Sequence, residues 1–453
     1  MKLWMDVMRD IEHVMDDYER IFDGWAAGGI DGLVIGPLFF NQPKLMPGTR
    51  FEPDRQPLAS FAPNPHVYQQ FGVMTPNDPV APIEQQRRFD GMLRAAKDRG
   101  WAVWLFQASA GAGADAVGNP IVDDRTQRAL AARMVDTLQH YPMVDGAIMD
   151  GPEWGYEIAP HHMNHRSYIF NDLPETAAAK CQQLGYDYAA LVAAKDRLFA
   201  NLHALQRSNI VLHAHGGLLG GARLLQGDPD LFAWLQFRVD SLTAFFQGIR
   251  TQVDTALEYP IKLGVGPRSA AFAPLCGYDF VRLAEFLDIL LPKHYFFQRG
   301  FDGMLGTIYR YVETLVQWNP GLQDGDALAV VNALFGLTLP NVSSRDDLES
   351  ALSPEFFAQI VTKETVRALA AVDDPERIVP WVDTGRWPHD GDPMSARDLL
   401  MLLQSAESAG LKRFLYHHHG NLSAGEWAVI SRFCGKPWRA LESSYQPPDM
   451  AVL

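Results

Sequence analysis

Carboxylates dominate the segment Asp145–Glu157, DGAIMDGPEWGYE. Asp150 follows the apolar triplet Ala147-Ile148-Met149, so a strand reading places its side chain where the strand ends. Gly151-Pro152 then turns the chain, and Glu153 can point back toward Asp150. Two carboxyl groups sharing one pocket can be driven to different pKa values, one charged and one protonated. Hydrolysis of a glycosidic bond needs such a pair, an acid for the leaving oxygen and a nucleophile or base for the anomeric carbon. The plainer alternative is a solvated acidic turn in which Asp150 caps a helix. Within the same stretch, Asp145 reads as structural, and Glu157 lies too far along the loop to assign.

Other polar residues sit where short apolar runs end. They are Asp6, Gln107, Arg268, Lys293, His294, Asp383 and His417, His418 and His419, with Arg386 just beyond. Asp383, in PWVDTGRW, is a second candidate acid/base; its structural alternative is an ion pair with Arg386. Lys293 and His294 can bind hydroxyls, and a Lys at a strand end can also form a Schiff base. Arg268 can clamp an anionic group or balance the acids. Alternation along the last strand puts His417 and His419 on one face and His418 on the other. A metal hydrolase built on a His-x-His first strand is not matched, because that strand offers only Asp6. The rim histidines therefore read as hydroxyl binders, and no metal or other cofactor is expected. Trp154, Tyr156, Tyr295, Phe296, Trp381 and Trp387 flank these polar groups. Aromatic walls with a few polar anchors suit the C–H face of a sugar, and Trp154 and Trp387 are the better wall candidates. Packing beneath long loops is the other role open to these rings.

These side chains need a frame that brings strand ends together. Eight short apolar runs qualify, at 1–6, 31–37, 101–107, 145–151, 261–268, 288–297, 378–385 and 412–420. Helical spacing lies between them, first over about 10–27, where Ile11, Val14, Met15, Tyr18, Ile21, Phe22 and Trp25 share a face. Eight β-α units predict an α/β fold, a (β/α)₈ TIM barrel. The rival, a doubly wound open sheet, lacks a Gly-rich phosphate fingerprint after the first strand. Long segments at 38–80, 151–185 and 320–350 follow strands, which places long loops at the C-terminal face where barrel active sites form. A further irregular stretch is expected at 213–230. With no linker or repeat, the expectation is one elaborated barrel over 1–436 and a C-terminal tail over 437–453.

Charge narrows the partners. A net charge of -15 with no basic block argues against nucleic acid and anionic membranes. The start, MKLWMDVMRDIEHVMDDYER, has no apolar run of signal-peptide type, so a cytoplasmic location is expected. Cys181, Cys276 and Cys434 form no CxxC pair and are expected as reduced thiols. The partner expected is a carbohydrate substrate; a homo-oligomer is compatible with the sequence.

The spacing Asp145-Gly146-x-x-x-Asp150-x-x-Glu153 resembles the fourth-strand motif of barrel glycosidases of the α-glucosidase and α-xylosidase class, Asp-Gly-x-Trp-x-Asp-Met-Asn-Glu. Ile148 stands at the Trp position, and Gly151-Pro152 replaces Met-Asn. The resemblance covers about nine residues. It implies a nucleophile's role for Asp150. That class takes its acid/base from an Asp after the sixth strand, whereas here the strand ends in Lys293-His294-Tyr295, leaving Glu153 or Asp383 for that task. The expected activity is cleavage of a small oligosaccharide or glycoside. A metal-dependent hydrolase, a Lys-dependent lyase and a non-catalytic carbohydrate-binding barrel are the other readings.

Overall fold

Runs that are apolar on both faces become strands buried on both faces. In the computed structural model these are β1 (Lys2–Val7), β2 (Ile30–Ile35), β3 (Ala102–Ala108), β4 (Gly146–Asp150), β5 (Lys262–Val265), β6 (Ile289–Leu290), β7 (Lys293–His294), β8 (Trp381–Asp383) and β9 (Arg413–His417). The structure describes residues 1–8, 10–41, 56–108, 113–160, 168–386, 389 and 391–448. The strands form one sheet in the order β6-β5-β4-β3-β2-β1-β9-β8-β7, with every pair parallel. β6 and β7 are two halves of one stave, parted by Leu291-Pro292. Its lower half pairs with β5 and also bridges Ile378, and Val379 N–H donates to Leu290 O at 2.9 Å. The sheet thus closes on itself as a (β/α)₈ barrel, as the spacing predicts.

Indole rings fill the barrel interior where branched aliphatics commonly stack. Trp4 and Trp104 lie 5.6 Å apart between ring centroids, and Trp381 meets Phe106 at 5.9 Å. Glycines paired beside them on neighbouring strands, and Gly266 just past β5, make the room. A Cβ at Gly32 would stand 2.1 Å from Trp4, and one at Gly266 would stand 2.1 Å from Trp381. At Gly146 it would stand 2.5 Å from Trp104.

The surrounding helices are α1 (Ile11–Asp16), α2 (Tyr18–Gly28), α3 (Ile83–Asp98), α4 (Asp124–His140), α5 (Pro229–Ala256), α6 (Met304–Trp318), α7 (Thr362–Leu369), α8 (Ala396–Ser408) and α9 (Ala424–Phe433). The single helix expected over 10–27 is broken at Asp17, which leaves helical geometry with φ −145° and ψ 36°. Side-chain caps start several others: Asp123 accepts from Thr126 N–H, and Ser395 and Ser423 form capping boxes with Asp398 and Glu426. All four segments expected as long loops or irregular stretches hold helices of their own, at Pro65–Gln70, Ala177–Leu184, Gly217–Leu224 and Asp324–Phe335. Past α9 the chain returns to the barrel wall, where Tyr445 packs on Trp427 and into the space left by Gly24. The three cysteines are unpaired thiols. Among the described residues, no helix is long and apolar enough to cross a membrane.

The glycine–indole fit has a direct test. Gly32→Ala should destabilise the protein by about 1–3 kcal/mol, because the Trp4 ring must move from a packed interior. A lowered urea midpoint with an unchanged slope is the expected result; an unchanged midpoint would show that the ring yields freely.

Candidate active site at the C-terminal rim

Strand alternation decides which polar residues reach the mouth of the barrel. Trp381 and Asp383 share one face of β8, and by register Trp4, Leu415 and Trp381 lie on the inner side together with His417 and Asp6. Asp150 ends β4 on that same inner side, two positions past Ile148. Lys293, across from Trp381, extends inward from β7. Asp6, Asp150, Lys293, Asp383 and His417 are therefore brought together, as the strand ends predict.

A chain of alternating charges crosses the rim. Arg268 Nε donates to both Glu153 carboxylate oxygens at 2.8 Å, and the other arm of its guanidinium pairs with Asp302. Asp302 also accepts from the Tyr156 hydroxyl at 3.1 Å. Lys293 Nζ lies 3.5 Å from Asp302 and 3.1 Å from Asp150. Burial works against charge on Asp302, but Arg268 and then Lys293 outweigh it and hold the carboxyl well below the usual range. The Arg268 guanidinium also lies over the Tyr156 ring at 4.9 Å.

A second cluster lies deeper. Asp6 Oδ2 and His417 Nδ1 are 2.5 Å apart, and His417 Nε2 is 3.8 Å from Asp383 Oδ2. His389 Nδ1 is 3.2 Å from the same oxygen. Burial pushes the Asp6 carboxyl well up; His418 opposes this, while Asp10, Asp150 and Asp383 add to it. Asp383 moves the other way, because His389 and His417 outweigh its burial. Tyr295 packs against this cluster, 4.8 Å from the His389 ring and 6.1 Å from that of His417. Its hydroxyl is raised well above the ordinary value, first by burial and then by Asp383, Asp150, Asp302 and Asp6. Four carboxylates thus act on one phenol. Trp381 forms the floor, with Lys293 Nζ 5.9 Å from the centre of its ring.

Access separates the acids. The side chains of Asp6, Asp302 and Asp383 are at most 2% exposed, whereas Asp150 keeps 29% and Glu153 keeps 17%.

Several expected site residues lie elsewhere. Gln107 registers with Met149 on the outer face of the barrel, because the pleat that turns Phe106 inward turns Gln107 out. His294 is likewise turned out toward α7, with Nε2 3.0 Å from Thr365 Oγ1. Trp154 is buried, and its Nε1–H donates to Arg238 O and Ser241 Oγ at 3.1 Å, so it packs against α5 rather than walling a cleft. β9 stops at His417, so alternation does not carry on to His419. That ring sits in a tight turn with Nδ1 2.6 Å from Asp10 and Nε2 3.0 Å from the Tyr445 hydroxyl. His418 is buried beside His417, and burial pulls its pKa down to about 4. Arg386 pairs with Glu426 at 2.7 Å and not with Asp383. Trp387 lies outside the described residues. Asp145 accepts from Lys97 at 2.7 Å and from Val103 N–H, at the opposite end of the barrel. A cavity of about 860 Å³ opens at that end, but its Asp145 and Asp288 are already paired with Lys97 and Arg250. Glu157 is buried and paired with Arg310.

Asp302 and His389 are absent from the strand-end reading because loops deliver them. Asp302 has φ 69°, a left-handed conformation that Asp tolerates better than most side chains. The Asp302-Gly303 pair was the available signal, a turn dipeptide after the sixth strand.

No family model matches the chain, and no curated protein matches its sequence. Among solved structures, the glycoside hydrolase domain of PgaB (BpsB) from Bordetella bronchiseptica superimposes with a TM-score of 0.52 at 12% identity, covering 95% of this chain and 99% of that one. A GH18 chitinase from Pseudoalteromonas aurantia gives 0.43 at 8% identity, over 96% and 100%. A chitinase from Rhizomucor miehei gives 0.40 at 11%, over 95% and 99%. The first match shows a shared fold.

His294 supplies a test of the pleat. Burial lowers its pKa from 6.5 to about 3, so between those values the unfolded chain binds a proton that the folded chain refuses. Stability is therefore full above the unfolded value and falls as pH drops below it, by up to about 1.4 kcal/mol per pH unit. His294→Gln should flatten the fall in urea midpoint between about pH 6.5 and about pH 4.5. An unchanged slope would place the imidazole in contact with solvent.

Proposed function

We propose that the protein is a glycoside hydrolase-type enzyme, cleaving glycosidic bonds of a small oligosaccharide or glycoside at the C-terminal mouth of its barrel. One observation carries this reading. Of the acids gathered at the rim, Asp150 and Glu153 keep accessible side chains, while Asp6, Asp302 and Asp383 are sealed beneath them. Two accessible carboxylates at one rim are what acid/base cleavage of an acetal requires.

Asp150 is assigned the side of the reacting carbon, as nucleophile or electrostatic stabiliser, with Lys293 beside it at 3.1 Å. This is also the role implied by its resemblance to the α-glucosidase motif. Glu153 is the second carboxylate, and its grip by Arg268 fixes where it points. Asp383 contributes to the floor of the site. The fold match to a glycoside hydrolase domain is compatible with this reading at 12% identity, and the activity rests on the residues. A Schiff-base lyase is disfavoured because Asp150 and Asp302 both engage Lys293 Nζ within 3.5 Å.

The test is turnover of a panel of aryl glycosides and small oligosaccharides by wild type, Asp150→Asn and Glu153→Gln. Each substitution should lower kcat by about 10²-fold or more on any responsive substrate. Full turnover by both variants would remove the carboxylate mechanism. Borohydride trapping of a covalent adduct on Lys293 would establish the lyase instead.

A further inference from the structure

Beneath the accessible acids, Asp383, His389 and His417 each turn a metal-binding atom toward one point, and these atoms lie within 4.8 Å of one another. Asp383 Oδ1 accepts the Gly385 N–H at 2.5 Å. Asp383 Oδ2 is buried and accepts no hydrogen bond. His389 Nδ1, 3.2 Å from that oxygen, is also buried and lacks the alignment of a hydrogen bond. Among the described residues, no Lys or Arg pairs with Asp383: Lys293 is taken by Asp150 and Asp302, and Arg386 reaches Glu426. A buried carboxylate oxygen without an aligned hydrogen bond, faced by two imidazoles, offers ligand atoms suited to a cation.

We propose that Asp383 Oδ2, His389 Nδ1 and His417 Nε2 bind a divalent first-row transition ion, with Zn²⁺ the best match to two imidazoles and one carboxylate. Ligands about 2.0–2.1 Å from a tetrahedral ion lie about 3.3 Å apart. The separations of 3.2 Å and 3.8 Å from Asp383 Oδ2 bracket that value. The ligand atoms of the two histidines also lie within 4.8 Å of each other. Asp6 completes the arrangement by holding His417 through Nδ1 at 2.5 Å, which aims Nε2 at the site. Metal-bound histidines are ordinarily held by such a carboxylate on their other nitrogen. Three protein ligands leave a coordination position open toward Tyr295 and the mouth, suited to a water or a sugar hydroxyl.

The site extends beyond the proposed hydrolysis and is read by ion binding, so failure of one leaves the other standing. The full chain is stripped with a chelator, reloaded with Co²⁺ or Zn²⁺, dialysed and analysed for metal content and visible absorption. One equivalent of retained ion is expected, with the strong visible bands of four-coordinate Co²⁺. His389→Ala should abolish retention in protein that circular dichroism shows to be folded. Asp6→Asn should weaken Zn²⁺ binding by about 10–100-fold, and Asp150→Asn should retain the ion. No retained equivalent in the wild type, or equal retention by His389→Ala, would overturn the proposal. If His389→Ala fails to fold, the wild-type Co²⁺ spectrum decides, since weak octahedral bands would contradict the assigned ligands.

Discussion

A buried guanidinium cannot stand alone, and the rim is built around that constraint. Arg268 is almost fully enclosed, and Glu153 and Asp302 meet its charge on two sides. Asp302 is then shared with Lys293, and Lys293 with Asp150. Removing any member leaves a neighbour's charge uncompensated in a poorly solvated place, which is far more harmful than the pair itself is stabilising. The network therefore fixes geometry more than it adds stability. It ties the ends of β4 and β7 and the segment following β5 to the loop that carries Asp302 beyond β7. Asp150 is held by strand pairing with Ala108 and by Lys293, whereas Glu153, beyond the end of β4, is positioned by Arg268.

Much of this was legible in the sequence. Eight apolar runs separated by helical spacing led to the closed barrel, and residues at the ends of those runs led to Asp6, Asp150, Lys293, Asp383 and His417. Where the reading failed, the reasons are physical. A strand that is apolar on both faces does not reveal which face is inner, so Gln107 and His294 were counted among the site residues although the pleat turns them out. Alternation holds only while a strand lasts, and β9 ends at His417, so His419 follows the turn that comes after. Trp154 lies beyond its strand, where an indole's burial depends on a helix far along the chain, through Ser241 and Arg238. Asp302 and His389 were beyond reach because their loops are placed by long-range contacts, such as the Phe301 N–H donated to His389 O at 2.6 Å.

The two clusters divide the work of one rim. The outer one keeps two carboxylates accessible, Asp150 and Glu153; the inner one keeps its charge hidden. Tyr295 packs on the inner one through His389 and His417, and carboxylates of both raise the pKa of its hydroxyl. Nothing in the spacing of the strands requires such convergence. It arises because a parallel barrel turns every strand end toward one opening, so side chains remote in sequence become neighbours by topology.

Trp381 belongs to both the rim and the core. Its ring fills the slot left by Gly266, and above it stands Lys293. The depth of the cleft and the cohesion of the barrel are thus governed by a single side chain. A lineage that enlarged the cleft to admit a bulkier ligand from below would hollow its own centre. Diversification on this scaffold is accordingly steered sideways, into the long loops, where shape can change while the indole column stays intact.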